Sequence, residues 1–197
     1  ISASTSMGLS GSKKFVVTLC SIRGSITSVF TFDQPVVAFV VPRNSPTTAG
    51  LTNTVVGANL GFWDPSPTVF LGGTAAVVTF WHSNTALASK PEPGVGKSLP
   101  TVIFLGDEAP ERYGTVSGVF EFDDNMVTAL ISTNAPAAGR TQVTVQGQNF
   151  GTYAYSGKVK LNPTRCQHSE WRSDSAIMCL TPSGLGAEVS VVATIAD

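Results

Sequence analysis

The stretch Thr141-Gln-Val-Thr-Val-Gln-Gly-Gln-Asn-Phe-Gly151 determines the fold that we expect for this chain. Val143 and Val145 alternate with polar residues, and this period of two is typical of a strand with one buried face. The strand ends at Gly147, and Gly147–Gly151 has the composition of a turn because glycine and asparagine tolerate positive φ angles. The stretch therefore predicts a β-strand followed by a tight turn.

The same pattern occurs earlier in the chain at an offset of 90 residues. Gly57-Ala-Asn-Leu-Gly61 lies 90 residues before Gly147-Gln-Asn-Phe-Gly151, and Trp81 lies 90 residues before Trp171. Other matches at this offset pair Gly94-Val-Gly96 with Gly184-Leu-Gly186 and Phe30-Thr-Phe-Asp33 with Phe120-Glu-Phe-Asp123. Chance similarity does not keep one offset across a whole unit, so the chain contains a tandem repeat.

The composition agrees with two small β-rich domains. The 197 residues include 13% charged and 42% hydrophobic side chains, together with 19 glycines and 12 prolines. Many short valine-rich segments between such turn residues predict an all-β fold. The net charge is −1 and no basic cluster occurs, which argues against a nucleic-acid partner. No apolar run approaches the ~20 residues that a membrane span needs.

A resemblance to a known family rests on three features. These are Val-x-Val-x-Gly-x-Asn-Phe-Gly at residues 143–151, the pair Cys166 and Cys179, and Thr181-Pro-Ser-Gly184. Together they resemble the IPT/TIG domain, the immunoglobulin-like domain of plexins and many large surface proteins. The resemblance implies an all-β chain of tandem immunoglobulin-like β-sandwiches. The segment Trp171–Ile177 followed by Gly-Leu-Gly also resembles the long repeat arrays of algal and protist surface or flagellar-appendage proteins.

The offset predicts three segments. Residues 1–34 carry the C-terminal strands of a preceding repeat, residues 35–124 form a complete repeat, and residues 125–197 form a repeat that lacks its last strand. Seven short strands between Gly and Pro turns suit an immunoglobulin-like sandwich. For the complete repeat the expected strands are Val36–Val41, Thr52–Gly57, Thr68–Leu71, Ala75–Phe80, Ala86–Ser89, Val102–Leu105 and Val116–Phe122. We expect the two repeats to superpose, with Trp81 on Trp171 and Gly57 on Gly147.

Residues 1–34 are assigned to a preceding repeat because two segments match. Lys13–Leu19 matches Leu99–Leu105, with about three residues of difference in the loop that follows, and Gly24–Phe30 matches Gly114–Phe120 at the 90-residue offset. We favour a window of a longer polypeptide. The alternative is a head-to-tail filament of copies, in which residues 24–32 of one copy complete the second repeat of the next.

The cysteines give the clearest chemical expectation. Cys166 and Cys179 are 13 residues apart, and their counterparts at the 90-residue offset are Ala76 and Ser89. Joint replacement is expected of partners in one bond, and IPT/TIG domains often carry such a pair, so we expect a disulfide; two buried thiols are the alternative. A disulfide would imply an oxidising compartment. Cys20 is left over and either pairs outside these segments or is free.

No catalytic or metal-binding set of residues emerges. Neither His82 nor His168 recurs in the repeat, and a zinc site needs three or four convergent ligands. Many serines occur, but none in a Gly-x-Ser-x-Gly elbow with a base. The acidic clusters Asp107–Glu111 and Phe122–Asn125 are expected to be solvated loop charge, although the second would suit calcium between repeats. We therefore expect no enzyme activity, no metal and no cofactor.

One loop is a candidate for recognition. Gly61–Pro67 contains Phe62, Trp63 and Asp64, and of these only Trp63 has an aromatic counterpart, Tyr153. The loop forms either a cap over the core, which we favour, or an exposed recognition surface.

The functional prediction is a structural or adhesive module of a long extracellular repeat protein, such as a cell-surface, extracellular-matrix or flagellar-appendage filament. Its partners would be neighbouring repeats or copies of itself. The alternatives are a ligand-binding receptor ectodomain, with Gly61–Pro67 as its distinctive loop, and a carbohydrate-binding module with a glycan as ligand. The expected disulfide favours an extracellular or cell-surface location in each case.

Overall fold

The structure, a computed structural model, describes residues 4, 8, 12–106, 112–161, 163–186 and 189–195. These residues contain β-strands and no helix, so no membrane-spanning helix occurs among them. The strands are β1 Lys13–Leu19, β2 Ile22–Phe30, β3 Val36–Val41, β4 Asn44–Ser45, β5 Asn53–Ala58, β6 Pro67–Leu71, β7 Thr74–Ala75, β8 Val78–Ser83, β9 Ala86–Lys90, β10 Leu99–Leu105, β11 Tyr113–Phe122, β12 Met126–Ile131, β13 Gln142–Gln148, β14 Lys158–Leu161, β15 Thr164–Arg165, β16 His168–Ser173, β17 Ala176–Leu180 and β18 Val191–Thr194.

The chain divides into two compact units that do not follow the limits of the two repeats. The first unit comprises Ile1–Arg43, Thr52–Pro91 and Ser98–Phe120. The second comprises Asn44–Leu51, Glu92–Lys97 and Glu121–Asp197. Two loops of the first repeat are thus part of the second unit. The domain boundaries drawn from the sequence stay a prediction.

Each unit contains the two antiparallel sheets of an immunoglobulin-like sandwich. In the first unit the sheet orders are β3-β5-β9-β8 and β11-β10-β6-β7; in the second they are β12-β13-β17-β16 and β15-β14-β18. Side chains from both sheets form each core. The buried residues of the first core are Val37, Val40, Val55, Leu60, Val69, Leu71, Leu87, Ala88, Ile103, Leu105 and Phe120, and those of the second are Val143, Val145, Phe150, Val159, Ile177, Cys179 and Ala193.

The two units pair their strands in the same register, as the repeat predicts. Gly57 of β5 faces Val37 of β3, and Gly147 of β13 faces Val127 of β12, in each case next to a β-bulge. The β8–β9 and β16–β17 pairs also match residue for residue at the 90-residue offset. The tandem immunoglobulin-like fold is therefore confirmed.

One expected strand is wrong in detail. Ala75–Phe80 is not a single strand, because the chain changes sheets within it. The backbone N–H of Ala76 donates to Val69 in one sheet, whereas that of the next residue, Val77, donates to Lys90 in the other. The segment therefore splits into β7 and β8.

The β1–β2 hairpin has the pairing of β10–β11. Val16 faces Ser25 as Val102 faces Thr115, and both hairpins carry a bulge at the same point. These pairs lie 86 and 90 residues apart in the two strands, so the loop difference is four residues rather than about three. All residues of β2 are exposed, whereas β11 buries several of its residues.

A close backbone approach explains the first glycine of the repeated turn. A Cβ atom added at Gly147 would collide with the carbonyl oxygen of Met126 and with the ring of Phe150. At Gly57 it would collide with the carbonyl oxygen of Val36. Since a main-chain oxygen within a strand pair cannot move aside, only glycine fits at both positions.

The asparagine of the same turn forms a hydrogen bond to the residues that precede the first strand of its repeat. Asn149 has a φ angle of 61°, and its Nδ2 donates to the carbonyl oxygen of Asp124 at 2.8 Å. Asn59 has a φ angle of 60° and donates in the same way to Gln34 at 3.1 Å. Asparagine suits this position because it tolerates the left-handed region and supplies a donor.

We expect Gly147→Ala to destabilise the second unit by about 1–3 kcal/mol, because the added methyl group overpacks a site bounded by a backbone oxygen. Gly184→Ala is the matched control, since its Cβ would meet nothing within 4 Å. Urea unfolding of both variants measures the difference. Equal stability of the two variants would contradict the close-approach explanation.

Candidate interaction surfaces

The aromatic loop, Gly61–Pro67, presents its rings to solvent. Phe62 is 65% exposed and Trp63 is 51% exposed, whereas Leu60 immediately before them is fully buried. Leu60 therefore fills the position over the core, and the cap interpretation is wrong for the two aromatic side chains. Their role in recognition stays a prediction.

Asp64, the third predicted recognition residue, stabilises the loop itself. Its Oδ1 accepts the backbone N–H of Ser66 at 2.8 Å, an Asx-type turn that replaces a backbone hydrogen bond. The loop is fixed at its start, where Trp81 Nε1 donates to the carbonyl oxygen of Leu60 at 3.1 Å. The exposed rings are thus carried on an ordered turn.

The second unit has a related arrangement. Trp171 Nε1 donates to Gly151 at 3.2 Å, and Phe150 is fully buried as Leu60 is in the first unit. Tyr153, the counterpart of Trp63, is 62% exposed and lies edge-on to Tyr155, with the ring centroids 6.1 Å apart. Partial burial raises the pKa of the Tyr155 hydroxyl above its ordinary value. Both units therefore expose an aromatic ring at the equivalent point.

A second feature, which the sequence did not predict, holds the loop Asn44–Leu51 within the second unit. We call this segment the docked loop. Thr47 is 1% exposed, and its hydroxyl donates to Asp174 Oδ1 at 2.7 Å. The same carboxylate oxygen accepts the backbone N–H of Gly151 at 2.8 Å. Gly94 donates its backbone N–H to the carbonyl oxygen of Thr47 at 3.0 Å. Polar contacts thus hold the loop against the repeated turn.

The acidic pair after β11 takes part in the same arrangement. The Asn44 side-chain amide donates to the Asp123 carboxylate, and the backbone N–H of Asp123 donates to Ser45 at 2.9 Å. Asp124 forms an ion pair of 2.6 Å with Lys97 and raises the pKa of that ammonium group. Asp124 remains 71% exposed, so this charge is solvated, as expected, but both carboxylates have protein partners.

The disulfide joins the two sheets of the second unit. Cys166 and Cys179 are bonded, with their Cα atoms 5.7 Å apart. Cys179 lies in β17, and Cys166 donates its backbone N–H to Val159 in β14 of the other sheet. In the first unit the corresponding Ser89 is fully buried without a sulfur partner. The first sandwich therefore closes without this bond.

The remaining chemical candidates do not converge. His82 and His168 are exposed, and Cys20 is an exposed free thiol. Within the described ranges no group of three or more His, Cys, Asp or Glu side chains is placed to hold a metal ion. The acidic cluster Asp107–Glu111 lies outside the described residues.

The model of the IPT/TIG domain family matches residues 35–122 and 126–197. The chain belongs to the IPT/TIG family. IPT/TIG domains are typically structural or binding modules rather than enzymes. The two matched ranges coincide closely with the two repeats that the 90-residue offset defines.

Similar solved structures include the extracellular region of plexin A4, at 22% identity and a TM-score of 0.41, where the alignment covers 83% of this chain and 17% of that chain. An auxiliary nutrient binding protein from Bacteroides ovatus is 17% identical with a TM-score of 0.39, covering 71% and 30% of the two chains. A third is SGBP-B of the Bacteroides ovatus mixed-linkage glucan utilization locus, in complex with a heptasaccharide, at 16% identity, a TM-score of 0.31 and coverage of 95% and 47%. The present chain thus spans less than half of each.

We expect the double variant Cys166→Ala/Cys179→Ser, which copies the first repeat, to lower the free energy of unfolding of the second unit by ~3 kcal/mol in the chain-entropy model. Hydrogen exchange of the β13 and β17 amides should accelerate, while that of β5 and β9 should not change. An equal acceleration in both units would contradict a disulfide that acts within one sandwich.

We expect Thr47→Ala to cost about 1.5–3 kcal/mol in the second unit, the usual range for a hydrogen bond to a charged group. Thr48→Ala is the matched control, because Thr48 is exposed in the same loop. Denaturant unfolding measures both variants, and equal stability would show that the hydroxyl contact to Asp174 does not hold the loop.

Proposed function

We propose that this chain is a structural module of a long extracellular repeat protein, in which IPT/TIG domains lie in series and act as spacers. The observation that carries the proposal is the docked loop, since residues of the first repeat contribute hydrogen bonds to the second compact unit. Arrays of repeats gain stability from such nearest-neighbour interactions. Function then depends on the loops that each module exposes.

The disulfide supports an extracellular location. The disulfide Cys166–Cys179 requires an oxidising environment to form and persist. The low content of charged residues and the net charge of −1 do not favour a nucleic-acid partner. The proposed partners are accordingly other repeats and proteins outside the cell.

Antibodies raised against the folded chain should label intact source cells or their extracellular material without permeabilisation. Electron micrographs of the purified full-length polypeptide should show elongated particles, because modules in series produce length. Labelling that needs permeabilisation would contradict the extracellular location, and compact particles would contradict the spacer role.

The exposed rings of the aromatic loop favour a second candidate, the binding of a glycan. Aromatic faces pack against apolar ligand surfaces, and Phe62 and Trp63 are the most exposed rings beside the repeated turn of the first unit.

We expect that, if the aromatic loop binds a glycan, Trp63→Ala abolishes binding on a glycan array because it removes the exposed ring. Tyr153→Ala, at the equivalent exposed position of the second unit, is the control and should retain it. If neither the parent chain nor the control binds a glycan on the array, the glycan candidate is wrong and the spacer role is unaffected.

A further inference from the structure

The first unit has an open pocket of about 210 Å³ beside its repeated turn. Its lining residues include Asp33, Asn59, Phe62 and Asn84. These residues carry a carboxylate, two carboxamides and an aromatic ring, so they combine hydrogen-bond donors and acceptors with an apolar surface. We call this site the first-unit pocket.

The equivalent position in the second unit is filled by the docked loop. Asn84 corresponds to Asp174, which accepts the hydroxyl of Thr47 at 2.7 Å. Asp33 corresponds to Asp123, which accepts the side-chain amide of Asn44. The two polar groups that hold the docked loop thus have direct counterparts in the lining of the first-unit pocket.

The strand ends show the same difference. β11 extends to Phe122 because its last two residues, Glu121 and Phe122, pair in parallel with β4 of the docked loop. β2 ends at Phe30, whereas the counterpart of Phe122 at the 90-residue offset is Phe32. Thr31 and Phe32 are not in a strand. The first unit therefore lacks a counterpart of β4 among its described residues.

Gly8, which precedes β1, has the same kind of contact as Gly94, which precedes β10. A Cβ atom added at Gly94 would collide with the ring of Phe122, and one added at Gly8 would collide with the ring of Phe32. With the shared pairing of the two hairpins, this packing supports the prediction that Gly8, β1 and β2 belong to the last part of a repeat of the same type.

We propose that the first-unit pocket binds the loop of a preceding IPT/TIG repeat, at the position that the docked loop occupies in the second unit. The inference rests on the proposed function, since it requires domains in series. The Asn84 carboxamide oxygen accepts a hydrogen bond from a loop hydroxyl as Asp174 does, and the Asp33 carboxylate accepts one from an asparagine amide as Asp123 does. The backbone N–H of Asp33 bonds to the loop, as that of Asp123 bonds to Ser45.

A second copy of this chain is a poorer occupant than a preceding repeat. The loop of the second repeat folds like the docked loop. The backbone N–H of Gly139 donates to the carbonyl oxygen of Pro136, as that of Ala49 donates to the carbonyl oxygen of Pro46. However, it has Ala135 and Ala137 where the docked loop has a serine and a threonine. It therefore brings no hydroxyl to Asn84, and the fitting occupant is a loop with Ser or Thr at these positions.

The test is an extended chain in which a copy of residues 35–93 is placed directly before Gly8. The copied strands then complete the sandwich to which β1 and β2 belong, and the copied loop lies within reach of the pocket. We expect the backbone amide of Asp33 to exchange its hydrogen at least about tenfold more slowly than in the parent chain, because it gains a buried partner. The side-chain amide resonances of Asn84 should shift at the same time.

A control extension carries Ser45→Ala and Thr47→Ala in the copied loop only. The copied loop then has alanine at both positions, as the second repeat has at Ala135 and Ala137. Protection of β1 and β2 should persist, while the shift at Asn84 should disappear. If β1 and β2 become protected but Asp33 and Asn84 do not change, the docking proposal is wrong and the array of repeats stands.

Two other outcomes would also overturn the proposal. If the extension leaves β1 and β2 unprotected, no preceding repeat of this type forms to carry the loop. If Asp33 in the parent chain becomes protected as protein concentration rises, the occupant is a second copy. Neither result contradicts the surface labelling on which the extracellular role is tested.

Discussion

The burial of one side chain in each repeated turn, Leu60 in the first unit and Phe150 in the second, is the constraint on which the other features depend. Both are fully buried, and in each unit the adjoining strand approaches so closely that only a glycine without a Cβ atom fits at the start of the turn. In the second unit a Cβ atom at Gly147 would also collide with the ring of Phe150. Hydrogen bonds from the asparagine that precedes each buried side chain, and from the indole of Trp81 or Trp171, then fix the turn. The aromatic rings and the loop contacts lie directly beside this turn, so their positions follow from it.

Most of the fold could be predicted because period-two alternation and a constant offset encode strands and their pairing directly. The disulfide could also be predicted from the repeat, since both cysteines are replaced together in the other repeat. The sheet change between Ala76 and Val77 was not, because it depends on which sheet each N–H finds as a partner. The contact of Thr47 with Asp174 joins residues 127 positions apart, and no local pattern links a loop hydroxyl to a distant carboxylate. The exposure of the Phe62 and Trp63 rings differs from the prediction of a cap, because Leu60 occupies the core position instead.

The two repeats keep one backbone frame and differ in how they are reinforced. The second unit has a covalent link between its sheets, and at Asp174 it has a carboxylate that receives two hydrogen bonds. The first unit has Ala76 and Ser89 in place of the sulfurs and Asn84 in place of the carboxylate. If the modules of a series are to have different neighbours, they need a shared backbone frame and loops that differ in sequence.

The chemistry of the docked loop bears on the order of such a series. Apolar contacts would accept almost any neighbouring loop, because burial of apolar surface has little directional preference. Hydrogen bonds to a carboxylate discriminate, since a loop that lacks the hydroxyl leaves a polar group without its partner. Thr47 satisfies Asp174, whereas the corresponding Ala137 offers nothing to such a site. In the proposed series of repeats, a difference of one hydroxyl between loops of the same shape would therefore favour one neighbour over another without any change to the sandwich.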